Sequence, residues 1–202
     1  MEILTIYPGS INERHIRRAA EALRDGRLVI YPTDSLYAIG CDALNQRAVR
    51  ELCRLKGLNP DKNLLSIVCP DISEAAEYAR IDNRAFRLLK QYLPGPFTFI
   101  LPASTSLPKV FKGRKTVGIR IPDCDIACAL AQALGNPLLT SSVDIASDNL
   151  DPAEPGSIAL YYENDVDLVI DGGIRPTTPS TIVDLTDSTS PEIVRQGIGQ
   201  FN

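Results

Sequence analysis

Three short polar segments of this chain stand where chemistry could be done, each beside a run of β-rich residues. Tyr31-Pro32-Thr33-Asp34-Ser35-Leu36-Tyr37 puts hydroxyls and a carboxylate at the end of a buried-strand pattern, where open α/β sheets usually bind ligands. Thr140-Ser141-Ser142-Val143-Asp144 does the same after Leu138-Leu139, and Pro179-Ser180-Thr181 opens a third strand after the turn Asp171-Gly172-Gly173. Lys56 follows a helical segment, and Arg120 and Arg195 end two further strand patterns. Converging hydroxyls, backbone amides and cations suit a polyanion or a zwitterion such as an amino acid. Each segment alone is equally a capped turn, because Ser, Thr and Asp satisfy backbone groups there. Their joint occurrence is what favours a ligand site.

Other chemistries lack their residues. The chain has no Gly-x-x-x-x-Gly-Lys-Ser/Thr phosphate loop and no Gly-x-Gly-x-x-Gly fingerprint. Its single histidine, His15, lies on a helical segment between Arg14 and Arg17, which speaks for a surface residue and against Ser/His/Asp or Cys/His catalysis. Cys41, Cys53, Cys69, Cys124 and Cys128 show no metal-ligand spacing and read as small buried hydrophobes in a reducing compartment. No apolar run approaches the roughly 20 residues that span a bilayer, and the N-terminus reads as a first strand and not a signal peptide. A cytoplasmic protein with no membrane partner is expected. The net charge of −4 and pI near 5.1 disfavour a general nucleic-acid binder. A local basic cluster, Lys109, Lys112, Arg114, Lys115 and Arg120, is either a phosphate-binding patch or a solvated loop between two strands.

The elements that must position these residues follow from caps and periodicity. Residues 12–25 read as a helix, with Asn12 as its cap, Gly26 at the left-handed C′ position and Ile16, Ala19, Ala20 and Leu23 on one face. Residues 45–55, 82–92 and 123–134 read as further helices, the second of these stopped by Pro94-Gly95-Pro96 and the last by Gly135 and Pro137. Strands are expected at 27–31, 64–68, 97–101, 116–121, 138–141, 166–170, 180–185 and 192–195. Alternating helices and strands predict a single α/β domain over residues 1–202. Tight spacing over 97–121 and again over 165–195 predicts hairpins, and therefore a twisted mixed sheet with flanking helices.

Five blocks of this sequence, in order, resemble those of the YrdC/YciO family. Tyr31 to Ala43 is similar to its Tyr-Pro-Thr-Asp/Glu-Thr-x-Tyr-Gly-Leu-Gly segment, and Pro94-Gly95-Pro96-Phe97-Thr98 to its Pro-Gly-Pro-x-Thr turn. Val117 to Pro122 is similar to its Val-x-x-Arg-x-Pro strand, Ser180 to Asp184 to its Ser-Thr-Val-Val-Asp strand, and Arg195-Gln196-Gly197 to its closing Arg-x-Gly. The resemblance implies a YrdC-like fold with a concave ligand face. It implies synthesis of threonylcarbamoyl-adenylate from ATP, L-threonine and bicarbonate for tRNA modification, with Mg²⁺ accompanying ATP. By position, Ser35, Arg120, Ser142 and Ser180 would line the threonine pocket. Lys56, Thr116, Asp144 and Arg195 would fall at the nucleotide, with Lys56 and Arg195 as the catalytic cations.

This sequence departs from the family pattern at the nucleotide end. The family's Lys-x-Arg is Lys56-Gly57-Leu58, its Ser-x-Asn is Ser142-Val143-Asp144, and a His of many members aligns near Ile67. These changes resemble the YciO-type branch. One lost charge-assisted contact weakens binding about 10- to 100-fold, unless Lys62 substitutes or Asp144 holds Mg²⁺. The alternative is a protein that binds tRNA or double-stranded RNA without synthesis, using Lys109, Lys112, Arg114 and Lys115.

Overall fold

The computed structural model describes the chain except residues 8, 60–62, 64, 65 and 112. Two residues weighed above, Lys62 and Lys112, therefore lie outside the described residues, as does the start of the strand expected at 64–68. Among the described residues ten strands form one mixed sheet in the order β1-β8-β2-β3-β7-β4-β6-β5-β9-β10. They are β1 (Glu2–Thr5), β2 (Val29–Tyr31), β3 (Ala38–Asp42), β4 (Ser66–Val68), β5 (Phe97–Pro102), β6 (Thr116–Arg120), β7 (Leu138–Ser142), β8 (Leu168–Asp171), β9 (Thr181–Asp184) and β10 (Glu192–Arg195). Six α-helices among the described residues flank it: α1 (Glu13–Arg24), α2 (Gln46–Leu55), α3 (Ile72–Tyr78), α4 (Asn83–Tyr92), α5 (Asp125–Leu134) and α6 (Pro155–Tyr161).

The helix starts follow from side-chain caps that satisfy first-turn N–H groups. Asn12 accepts from the backbone of Arg14 and His15, Asn45 from Arg47 and Ala48, and Asp82 from Arg84 and Ala85. Two short helices, α3 and α6, and the buried strand β3 were not anticipated. α6 carries Pro155 at its first position under a Glu154 cap, a start signal with too few turns behind it to show a period. The hairpin expected over 97–121 is present as the antiparallel pair β5/β6. Over 165–195 a hairpin is present as the antiparallel pair β9/β10, with β9 parallel beside β5, but β8 takes no part in it and runs parallel between β1 and β2. The spacing suggested neighbours, but β8 finds its apolar partners at the other end of the sheet.

One face of the sheet packs along its length against α2, α3, α4 and α6, through Ile39, Ile67, Leu139, Phe99, Ile119 and Val183. The opposite face is covered by α1 and α5 over Val29, Tyr31, Ala38, Leu138 and Leu168. Side chains alternate across a strand, so the other residues of this second face can be read off. On β4, β5, β6, β7 and β9 they include Ser66, Thr98, Thr116, Gly118, Arg120, Thr140, Ser142, Ile182 and Asp184, with Ile100 and Pro102 further along β5. A face so polar offers no apolar stripe to dock a helix, and it is here that a cleft opens.

Candidate functional site

At the end of β6, Arg120 points into this second face and is 4% exposed. A buried guanidinium needs a counter-charge, and the Tyr31–Ser35 segment supplies it. The Arg120 Nη2 donates to Ser35 Oγ at 3.0 Å, and Asp34 Oδ1 lies 3.5 Å from the same nitrogen. Asp34 Oδ2 accepts from the backbone N–H of Asp123 at 2.8 Å. The pairing is loose: Asp34 Oδ1 and Arg120 Nε are both buried without a hydrogen-bond partner. Burial disfavours both charges, pushing the Asp34 carboxyl up and the Arg120 guanidinium down, and each partner partly offsets the shift of the other. Asp34 thus balances the charge of Arg120 while leaving guanidinium donors unspent.

The second cation comes from the sheet edge. Arg195 on β10 donates to the backbone oxygen of Ser180 at 2.8 Å through Nη2, with Nε at 3.3 Å from that oxygen. Burial and then the like charge of Arg120 lower its affinity for a proton, so the two guanidiniums feel each other. Thr98 Oγ1 and Ser180 Oγ are hydrogen-bonded at 3.0 Å between them. On the far side, Tyr31 donates to Thr140 Oγ1 at 2.8 Å, its ring lying where a Cβ on Gly40 would intrude at 2.9 Å. The resulting cleft holds about 160 Å³ and is lined by Arg120, Arg195, Ile182 and the hydroxyl residues Ser66, Thr98, Thr140, Ser141, Ser142 and Ser180. Two cations, many hydroxyls and no lining carboxylate make a site for a small anion or for the carboxylate of an amino acid.

Matching residues 21–197 is the family model Sua5/YciO/YrdC, described as telomere recombination. The chain belongs to the Sua5/YciO/YrdC family. It is 40% identical to the uncharacterized protein YciO of Escherichia coli over 196 residues, covering 96% of this chain and 94% of that one. The crystal structure of E. coli YciO superposes with a TM-score of 0.90 at 39% identity, over 99% of this chain and 98% of that one. The threonylcarbamoyl-AMP synthase of Pyrococcus abyssi is 34% identical over 98% of this chain, which spans 58% of that relative. P. abyssi Sua5 complexed with L-threonine superposes with a TM-score of 0.86 at 32% identity, over 98% of this chain and 58% of that one.

Of the four residues that the family resemblance placed at threonine, Arg120, Ser142 and Ser180 line the cleft, and Ser35 sits behind it as a hydrogen-bond partner of Arg120. Arg195, expected at the nucleotide, lines the same cleft. Lys56 and Asp144 do not line it. They form an ion pair with each other beside a second hollow, of about 520 Å³, walled by Leu55, Ile145, Ala146, Tyr161, Tyr162 and the carboxylates Asp144 and Asp165. Thr116 begins β6 on the same sheet face as Arg120, two alternations away. In the β5–β6 connection Lys109 and Lys115 are exposed, while Arg114 is half-buried near Cys53, whose thiol is pushed up by burial with the Arg114 charge only partly offsetting it.

The Asp144 carboxylate does not fit a resident Mg²⁺ site. Its Oδ1 is already shared between Lys56 and the Tyr162 hydroxyl, and the described residues hold no cluster of three His, Cys, Asp or Glu side chains that could hold a metal ion. Thr140 and Ser141 belong to a hydroxyl segment already singled out, whereas Ser66, Thr98 and Ile182 were missed as site residues; strand alternation alone would have put Thr98 on the Arg120 face, once the register was known. No helix among the described residues is long and apolar enough to cross a membrane.

Proposed function

We propose that the cleft binds L-threonine through Arg120, and that the chain joins it with bicarbonate and ATP in synthesis of the threonylcarbamoyl-adenylate type. The observation that carries this reading is the buried Arg120 guanidinium, with charge balanced by Asp34 and donors left for a ligand. It is supported by the likeness to a Sua5 structure complexed with L-threonine. In this reading the threonine carboxylate takes two parallel hydrogen bonds from Arg120, and Ser142, Ser180 and Thr98 surround its polar atoms. The neutral amine and bicarbonate give the carbamate and water. A carbamate oxygen then attacks the α-phosphorus of ATP, and the bond to pyrophosphate breaks as pyrophosphate leaves. Arg195 meets charge developing at the phosphorus, and Lys56, Thr116 and Asp144 border the nucleotide. Such a reaction rests on in-line positioning and cations and needs no protein nucleophile.

Calorimetric titration with L-threonine, then with ATP·Mg²⁺ and bicarbonate, followed by assay for pyrophosphate, tests this reading. Threonine binding with threonine-dependent pyrophosphate release is the expected result. Absence of threonine binding would remove the reading altogether.

A second reading, binding of tRNA or double-stranded RNA without synthesis, draws on the exposed Lys109 and Lys115. Affinity for a structured RNA should then fall steeply with salt. Neutralising both lysines should reduce the logarithmic salt slope by about 2, near one for each phosphate contact. A slope that is flat and unmoved by the double substitution would dismiss RNA as the ligand.

A further inference from the structure

The Lys56–Asp144 ion pair joins residues 88 positions apart in the chain, and it brings together the lysine kept from the family's Lys-x-Arg and the aspartate that stands in place of its asparagine. Lys56 caps the C-terminus of α2, with its backbone N–H bonded to the Leu52 oxygen. Unpaired helix carbonyls favour a cation there and disfavour an anion. A phosphate can therefore approach this point only if the ammonium of Lys56 is available to it. Its side chain is 8% exposed and has Asp144 as its acid partner, whereas the Asp144 side chain is 81% exposed. The asymmetry decides which partner can leave. Asp144 can turn into water with little loss of solvation, while Lys56 stays where it is.

The backbone beneath Asp144 is fixed independently of the carboxylate. The Tyr162 hydroxyl donates to the Asp144 backbone oxygen at 2.7 Å, and Ser141 and Ser142, just upstream, form part of the cleft wall. Release of the carboxylate therefore need not disturb the cleft, and beside the pair the hollow walled by Tyr161, Tyr162 and Asp165 leaves room for a ligand, with the Asp165 charge met by Arg54.

We propose that Asp144 is a built-in competitor for Lys56 that weakens the hold of this chain on nucleotide phosphates, most strongly for the most highly charged nucleotides. The inference rests on the nucleotide half of the function proposed above, and it names Asp144 as the residue that sets nucleotide affinity and charge preference. Any phosphate at Lys56 must displace the carboxylate, and the displaced carboxylate still repels each remaining negative charge on the ligand. A neutral amide at this position would do neither.

The test is calorimetry of the full chain with ATP·Mg²⁺, AMP and L-threonine, for wild type, Asp144→Asn, Lys56→Met and the double variant. Asp144→Asn is expected to tighten ATP binding by about tenfold, the low end for a charge-assisted contact released to the ligand. It should tighten AMP less and leave L-threonine unchanged. Lys56→Met should weaken ATP far more in the Asp144→Asn background than in wild type, because only there does the lysine already serve the ligand. An Asp144→Asn protein that melts earlier yet binds ATP as wild type does would show a purely structural pair and overturn the inference. If threonine binds while neither wild type nor Asp144→Asn binds ATP, the nucleotide half of the proposed function fails, and this inference with it.

Discussion

Arg120→Met is expected to reduce L-threonine affinity by at least about 100-fold in calorimetry, the upper end for one charge-assisted contact, since a guanidinium makes two in parallel. The same change leaves Asp34 buried without its counter-charge. Its Oδ1 has no hydrogen bond to fall back on, so the variant should also lose about 3–5 kcal/mol of stability. Two further proteins separate the effects. Arg120→Lys keeps the charge but not the planar fork, and should retain stability better than affinity. Combining Arg120→Met with Asp34→Asn removes both buried charges, and should recover much of the melting temperature without restoring threonine binding. Threonine affinity at the wild-type level in Arg120→Met would show that the carboxylate is held elsewhere.

Gly197→Ala should be nearly as disruptive, though its single methyl group reaches no ligand. A Cβ on Gly197 would stand 2.2 Å from the Pro179 oxygen and 2.5 Å from the Ser180 carbonyl carbon. Both are backbone atoms, so no side-chain rotation relieves the clash. The segment after β10 must instead move away from the start of β9, breaking the bonds from Gly197 N–H to Thr181 Oγ1 and from Ile198 N–H to the Pro179 oxygen. Overpacking of this kind destabilises by about 1–3 kcal/mol. Arg195 lies two residues upstream and is held by the same Ser180 carbonyl, so it would be carried off the cleft. Affinity for an anionic ligand should fall about tenfold, one charged hydrogen bond. Wild-type melting and wild-type ligand affinity in this variant would refute the close approach as a constraint. The Arg-x-Gly spacing thus has a physical basis: the glycine allows the contact that the arginine needs.

Much of this site was legible as chemistry before its geometry was known. The hydroxyl-rich segments at Tyr31, Thr140 and Ser180, together with Arg120 and Arg195, announced an anion or amino-acid site, because those residue types share few other purposes at strand ends. The cap Asn12 marked the start of α1, and Asn45 and Asp82 stand where the sequence began α2 and α4, since a cap acts within one turn and is local by nature. The tight spacing of β5 and β6 likewise implied their pairing.

Tertiary structure decided whatever depends on residues distant in the chain. β3 hid inside the Tyr31-to-Ala43 motif, because five buried residues in a row carry no alternation to read. β8 left its sequence neighbour β9 for β1 and β2, since strand pairing is settled by competition among all apolar edges and not by spacing. The same holds at the level of side chains. Residue type showed Ser35 and Arg195 as polar and Lys56 and Asp144 as charged. Only the folded sheet put Ser35 behind Arg120, drew Arg195 into the cleft and set Asp144 against Lys56. Local propensity governs an element and its caps, whereas the partner of a charge is fixed by through-space distance, which emerges only when the whole sheet has closed its register.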